Sequence, residues 1–173
     1  MTEKPFGLRD IQIALYSAPG TAYDVPVAGS LGFTDTPGAT AELRGDDQLA
    51  DIHVMEGKPV VELESGGISL RVWSLLSGGT YSTGSGYYRL VKQGDDQRPY
   101  LVLGAQIYDN DNTGATNLYL PKCRCTSGPK GTFKDGAFFL TGATIEGVDD
   151  GANGMYQVRQ NDTAAALNLQ TFA

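Results

Sequence analysis

The sequence predicts a mainly β protein, a β-sandwich or barrel-like domain carrying one flanking α-helix at about residues 67–77. Three features lead there. Apolar and polar residues alternate in short runs along most of the chain, the pattern of strands with one buried face. Clusters of Gly, Asp, Asn and Thr separate those runs, and 23 glycines in 173 residues supply many tight turns. One stretch alone repeats convincingly with the helical period.

Residues 1–9 read as an N-terminal arm. A first strand is expected at 10–17, with Ile11, Ile13 and Leu15 on one face. Ala18-Pro19-Gly20 turns the chain toward a short strand at 23–28, and residues 31–39, rich in Gly, Thr and Pro, read as a loop. Residues 40–44 run into the turn Gly45-Asp46-Asp47. Residues 49–55 then alternate, Ala50, Ile52 and Val54 against Asp51 and His53. Glu56-Gly57-Lys58 turns again into 59–64, where Val61 and Leu63 oppose Val60, Glu62 and Glu64. Ile68, Val72, Leu75 and Leu76 recur at i, i+4, i+7 and i+8, an apolar stripe along a helix, with Ser65 as its expected cap and Gly78-Gly79 as its stop. A helix of about three turns is not stable alone, so it should lie across a sheet.

Strands return at 87–92 and at 99–108, the latter with Leu101, Leu103, Ala105 and Ile107 on one face. Residues 115–126 follow, with Leu118 and Leu120 opposite Tyr119, Cys123 and Cys125. Residues 131–148 place Phe139, Thr141, Ala143 and Ile145 in register, and 155–160 form the last strand. Residues 161–173 are small and polar and read as a loose C-terminal tail. No repeat or linker divides the chain, so 1–173 reads as a single domain.

The formal net charge of −7 argues against binding a phosphate backbone, which needs clustered Lys and Arg. It fits either simple solubility or a surface built to let DNA pass without sticking. The start, MTEKPFGLRD, has no apolar core of a secretory signal, and no apolar run is long enough to span a membrane. Cys123 and Cys125 share a strand face, where an i,i+2 disulfide would be strained; a reducing site of synthesis fits.

Motifs with a chemical reading all have a plainer one. Arg44-Gly45-Asp46 spells an adhesion tripeptide but sits in a hairpin turn. Asp109-Asn110-Asp111-Asn112-Thr113-Gly114 begins like a calcium loop, but Leu120 stands where the bidentate Glu belongs. Gly84-Ser85-Gly86 lacks the Lys-Ser/Thr of a phosphate loop. His53 is the only histidine and has no catalytic partner in sequence, and with two cysteines it leaves a closed zinc site one ligand short. The expectation is no enzyme, no cofactor and no metal. Trp73 lies beside the helix stripe, read either as edge packing or as an exposed interface anchor. Residues 42–64 hold seven acids against two bases, −5 of the total −7. That is either a solvated hairpin or an acidic wall repeated around a ring lumen. Candidate subunit-interface or lumen residues are Asp46, Asp47, Asp51, Glu56, Glu62, Glu64 and Trp73.

The layout is carried by Ala41-Glu42-Leu43-Arg44-Gly45-Asp46-Asp47-Gln48, the alternating hairpin after it, the Glu62-Leu63-Glu64-Ser65-Gly66-Gly67-Ile68 junction and the helix through Leu76. With Gly131-Thr132-Phe133-Lys134-Asp135-Gly136 and Ala137-Phe138-Phe139-Leu140-Thr141-Gly142-Ala143, it resembles a major tail tube protein of long-tailed (siphovirus-type) bacteriophages. The resemblance covers most of the chain. It implies rings, usually hexameric, whose inner strands join one β-barrel and which stack into the conduit for genome ejection. It also implies a place in the virion tail after assembly in the host cytoplasm. The implied partners are other copies of the chain, a tape measure protein, a tail terminator, baseplate or distal tail proteins, and DNA passing without sequence-specific binding; no membrane is implied. The 49–64 hairpin and the terminal arms are expected to make inter-subunit or inter-ring contacts. Two other readings stay open. A type VI secretion tube protein shares the implied fold, and a β-sandwich adhesion or receptor-binding module would use exposed aromatics, for which Tyr81, Tyr87 and Tyr88 are the cluster.

Overall fold

The structure, a computed structural model, describes residues 5–45, 48–67, 69–109, 113–131, 135, 141–163 and 165–172. Its chain order is β1 (Pro5–Leu15), β2 (Ala18–Asp24), β3 (Ala28–Thr36), β4 (Thr40–Gly45), β5 (Gln48–Val54), β6 (Lys58–Ser65), α1 (Leu70–Ser77), β7 (Thr80–Gly84), β8 (Tyr87–Val91), β9 (Leu101–Asp109), β10 (Ala115–Lys130), β11 (Thr141–Gly147) and β12 (Gln157–Asn161). A 3-10 turn at Leu169–Phe172 ends it. The protein is mainly β, with antiparallel sheets and one α-helix among the described residues.

The main sheet runs β2-β1-β9-β10-β11-β6-β3, and β12 joins β10. Residues 115–119 of β10 pair with both β9 and β12, so those two lie on opposite edges. β11 takes over from β12 along the second half of β10. Past Cys123, β9 no longer pairs with β10. There the Arg98 guanidinium donates to the carbonyls of Cys125 at 3.1 Å, Thr126 at 2.6 Å and Gly128 at 3.1 Å. β4–β5 and β7–β8 are separate two-stranded ribbons.

The sheet curls, bringing β3 within 8 Å of β1 between Cα atoms. Its inner face carries Ile11, Ile13, Val61, Leu63, Leu101, Leu103, Ala105, Leu120, Ala143 and Ile145, and Val72, Leu75 and Leu76 of α1 close over them. Strand side chains alternate faces, so Ala14, Val102 and Tyr119 point the other way. That second face is covered by Leu167 and Leu169, which are 5% and 1% exposed. The expected loose tail is therefore docked: two leucines at i and i+2 seal a second small core. The arm is also partly structured, since Pro5 pairs with Asp109 and Leu8 with Ile107.

Three further expectations are corrected. Residues 31–36, read as loop, belong to β3, which pairs with β6 from Leu31↔Leu63 to Thr36↔Lys58; a ready partner outweighs a glycine-diluted sequence. The helix spans 70–77 rather than 67–77, and its cap is Ser69, not Ser65. Ser69 is extended (φ −109°, ψ 106°) and its Oγ accepts from the Val72 N–H at 3.4 Å, whereas the Ser65 Oγ donates to the Pro26 carbonyl at 2.5 Å. Ile68 lies outside the described residues. Finally, Leu120 and the cysteines share the inner face, because the β10 register shifts between Leu120 and Cys123. Pro121 sits at that shift; with no N–H it cannot continue a ladder, and the extra residue inverts the alternation.

Asp10 yields a prediction about pH. Gln12 Nε2 donates to Asp10 Oδ2 at 3.3 Å and to Asp24 Oδ1 at 3.0 Å, gathering two carboxylates at the β1–β2 edge. Burial first, and the Asp24 charge second, raise the Asp10 carboxyl above its ordinary 3.8. A raised folded-state value means that ionisation disfavours the fold. The penalty is absent below the unfolded value and grows as pH rises through the folded one. Asp10→Asn is expected to raise the melting temperature near neutral pH and to leave it unchanged below about pH 3. Melting curves at both pH values check this; a gain at both, or a loss at neutral pH, is the contrary result.

Candidate assembly surfaces

The β4–β5 hairpin is built from alternation, and every one of its described side chains is exposed. Its register sets Thr40 opposite Val54 and Glu42 opposite Ile52, so those four share one face, while Ala41 and His53 share the other. Its extensive packing is confined to its own two strands. Ile52, Val54 and Met55 are 50%, 53% and 52% exposed. The base is firm: Gly38 N–H donates to the Met55 carbonyl at 3.1 Å and Met55 N–H to Ala39 at 2.9 Å. Gly57 packs so tightly on Thr36 that a Cβ there would lie 1.6 Å from the Thr36 oxygen. A two-stranded ribbon is marginal by itself in water, and three half-exposed apolar side chains call for a covering surface.

The candidate acids fall in two places. Asp51 and Glu56 are exposed on the hairpin and in the turn at its base, and Asp51 Oδ1 accepts from the Ile52 N–H at 2.8 Å. Glu62 and Glu64 face outward from β6 and line an open cleft of about 400 Å³ with Ser30 and Lys130; Ser30 Oγ donates to Glu64 Oε2 at 3.3 Å. Asp46 and Asp47, and with them the tip of the Arg44-Gly45-Asp46 turn, lie outside the described residues. Trp73 is half-buried and lines a void of about 10 Å³ with Pro26, Pro129 and Leu76. Space of that size holds about one water.

An aromatic cleft beside α1 joins three elements. β7 and β8 pair Tyr81 with Leu90 and Thr83 with Tyr88, which sets Tyr81 and Tyr88 diagonally on one face. Their rings lie 13° from parallel with centroids 6.5 Å apart. Arg71, in the first turn of α1, reaches between sheet and ribbon, its Cζ 4.6 Å from the Tyr81 ring and 5.3 Å from that of Tyr23. An open cleft of about 410 Å³ is lined by Ser69, Leu70, Arg71, Tyr81 and Tyr88. Tyr87 and Tyr88 are 57% and 72% exposed. The tyrosines were visible in the sequence. Arg71 was not, although residues 65–94 contain no Asp or Glu at all.

A second cationic ladder was equally hidden. Arg124 Cζ lies 3.9 Å from the Tyr100 ring, and Lys122 Nζ lies 4.9 Å from Tyr100 and 5.5 Å from Tyr16. The residues are distant in sequence and meet through strand pairing. Cation–π contact of this kind is worth about 0.5–1 kcal/mol at exposed sites.

The chain matches no protein-family model, and no curated protein is significantly similar to it.

The remaining motifs have structural partners. Asp109 Oδ1 accepts from the Thr113 N–H at 2.9 Å, and its Oδ2 from the Gly114 N–H at 2.9 Å, so this carboxylate folds the β9–β10 turn. His53 is exposed on β5. Cys123 and Cys125 are free thiols in the inner core, and burial pushes both thiols up from their ordinary value. No helix among the described residues is long and apolar enough to cross a membrane.

Proposed function

We propose that this chain is a structural, non-enzymatic subunit that self-assembles into stacked hexameric rings, forming a phage-type tail tube. The observation that carries the reading is the β4–β5 hairpin. It is anchored at its base by backbone packing, and Ile52, Val54 and Met55 are left half-exposed along it. Such a ribbon is stabilised by a neighbour rather than by its own domain. Two further features agree. β2 and β3 end the main sheet among the described residues, and an end strand that pairs with another copy loses its edge liability on ring closure. The chain is acidic overall, which keeps a passing polyanion from adhering. On this reading the partners are other copies, the tape measure, terminator and distal tail proteins, and its place is the virion tail.

The test is negative-stain electron microscopy of the purified protein at low and high concentration. Rings or hollow tubes that lengthen with concentration are expected. They would leave the choice between a phage tube and a secretion tube to genomic context. The exposed Tyr87 and Tyr88 favour a second reading, an adhesion module. A protein that stays monomeric at high concentration and in the presence of preformed tail-tip complexes would put that reading first.

A further inference from the structure

The same chain carries two adjacent segments of opposite charge. Residues 42–64 hold seven acids and two bases, while residues 65–94 hold Arg71, Arg89 and Lys92 and no acid. The acidic segment includes the hairpin with its apolar Ile52 and Val54, and Glu42 stands directly opposite Ile52 on the same face. The basic segment builds the aromatic cleft. Lys92 lies 3.9 Å from Asp96, but no carboxylate partners Arg71 among the described residues. The Arg71 Cζ lies over the rings of both Tyr81 and Tyr23, and the N–H groups of a guanidinium can bind a carboxylate in a fork. Beside it, the rings of Tyr81 and Tyr88 offer flat apolar surface in a cleft of about 410 Å³.

We propose that this cleft receives the β4–β5 hairpin of a second copy, with a hairpin carboxylate on Arg71 and the Ile52–Val54 face against Tyr81 and Tyr88. The inference rests on the self-assembly reading and names the receiving surface. Charge complementarity chooses the occupant. A cleft of one cation and two aromatic rings fits a segment that combines acid with β-branched apolar groups, and the hairpin supplies both in one face. Hairpin and cleft are different parts of the chain, so the contact is heterologous and repeats from copy to copy. An exposed charge pair steers the encounter and weakens in salt.

Mixing two variants that each add one surface cysteine tests it on the full-length protein. Ile52→Cys is mixed with Tyr88→Cys under mild oxidation, and in parallel with Val158→Cys, another exposed position, on β12. The two native thiols are buried and give little background. The expected result is a covalent dimer from the first mixture at about ten times the rate of the second, as a specific contact raises effective concentration, with the excess lost in high salt. Arg71→Glu in the cleft partner should abolish the excess, and adding Glu42→Arg to the hairpin partner should restore part of it. Equal rates in the two mixtures overturn the docking. If wild-type protein nonetheless forms tubes, self-assembly stands and the cleft is wrong. If there are no tubes, even with preformed tail-tip complexes present, and no excess, self-assembly falls and the docking with it. A cleft that binds an acidic oligosaccharide in an Arg71-dependent way, while Arg71→Glu protein assembles normally, also overturns it.

Discussion

Gly78→Ala is expected to lower the unfolding free energy by about 2–5 kcal/mol, and Gly78→Val by at least as much. Gly78 ends α1 in the left-handed conformation (φ 79°, ψ 10°), and its N–H donates to the Ser74 carbonyl at 2.8 Å. An L side chain in that conformation costs about 1–2 kcal/mol. A second cost comes from packing. A Cβ on Gly78 would lie 2.1 Å from the Gln97 carbonyl oxygen and 2.7 Å from its carbon. Those are backbone atoms, so relief requires moving the segment before β9. Arg98 would move with it, and its guanidinium holds three carbonyls of β10. Forcing extra volume into a packed site adds about 1–3 kcal/mol. Gly86 provides the control. It also has a positive φ, +83°, but a Cβ there would meet nothing within 4 Å. Gly86→Ala should therefore show the conformational cost alone. Urea unfolding of both variants measures the difference, and equal midpoints would show that the close approach at Gln97 carries no energy.

Period-two alternation was legible wherever one face of a strand is buried and the other wet. Val61 and Leu63 against Glu62 and Glu64 is the clearest case, with Ile11 and Ile13 close behind. The apolar stripe of α1 was equally direct, because Val72, Leu75 and Leu76 are its buried residues. What stayed hidden depended on partners remote in sequence. β3 has Gly29 and Gly32 diluting its pattern and becomes a strand by lying along β6. β7, Thr-Tyr-Ser-Thr-Gly, has almost no apolar content and forms because β8 folds back onto it. The faces of β10 were misassigned because Pro121 breaks the count in mid-strand. For the candidate surfaces, the acidic hairpin could be read from composition, since its charges are local. The aromatic cleft could not: Arg71 is one cation on a short helix until α1, β2 and β7 bring two tyrosine rings to it.

The C-terminal segment shows the same limit in a form with a large measurable effect. Leu169→Ala is expected to destabilise the protein by about 2–5 kcal/mol, the cost of truncating a fully buried leucine. A loose tail would predict less than about 0.5 kcal/mol. The larger figure follows from how the segment is held. Leu169 is 1% exposed and packs with Leu167 over Ala14, Val102 and Tyr119. Gln106, itself 2% exposed, donates its Nε2 to the Ala165 carbonyl at 2.7 Å, so the segment also satisfies a buried amide. Gly104 makes room: a Cβ there would sit 2.4 Å from Leu169 Cδ2. This close approach makes the two positions interdependent. Gly104→Ala alone should displace Leu169 and destabilise by overpacking. Combined with Leu169→Ala, the added methyl should partly fill the vacated space. The double variant should then be more stable than the sum of the single effects, by about 0.5–3 kcal/mol. Calorimetric or urea unfolding of the four proteins measures that coupling. Strict additivity would mean that Leu169 does not rest on the Gly104 backbone, and that the second core is sealed some other way.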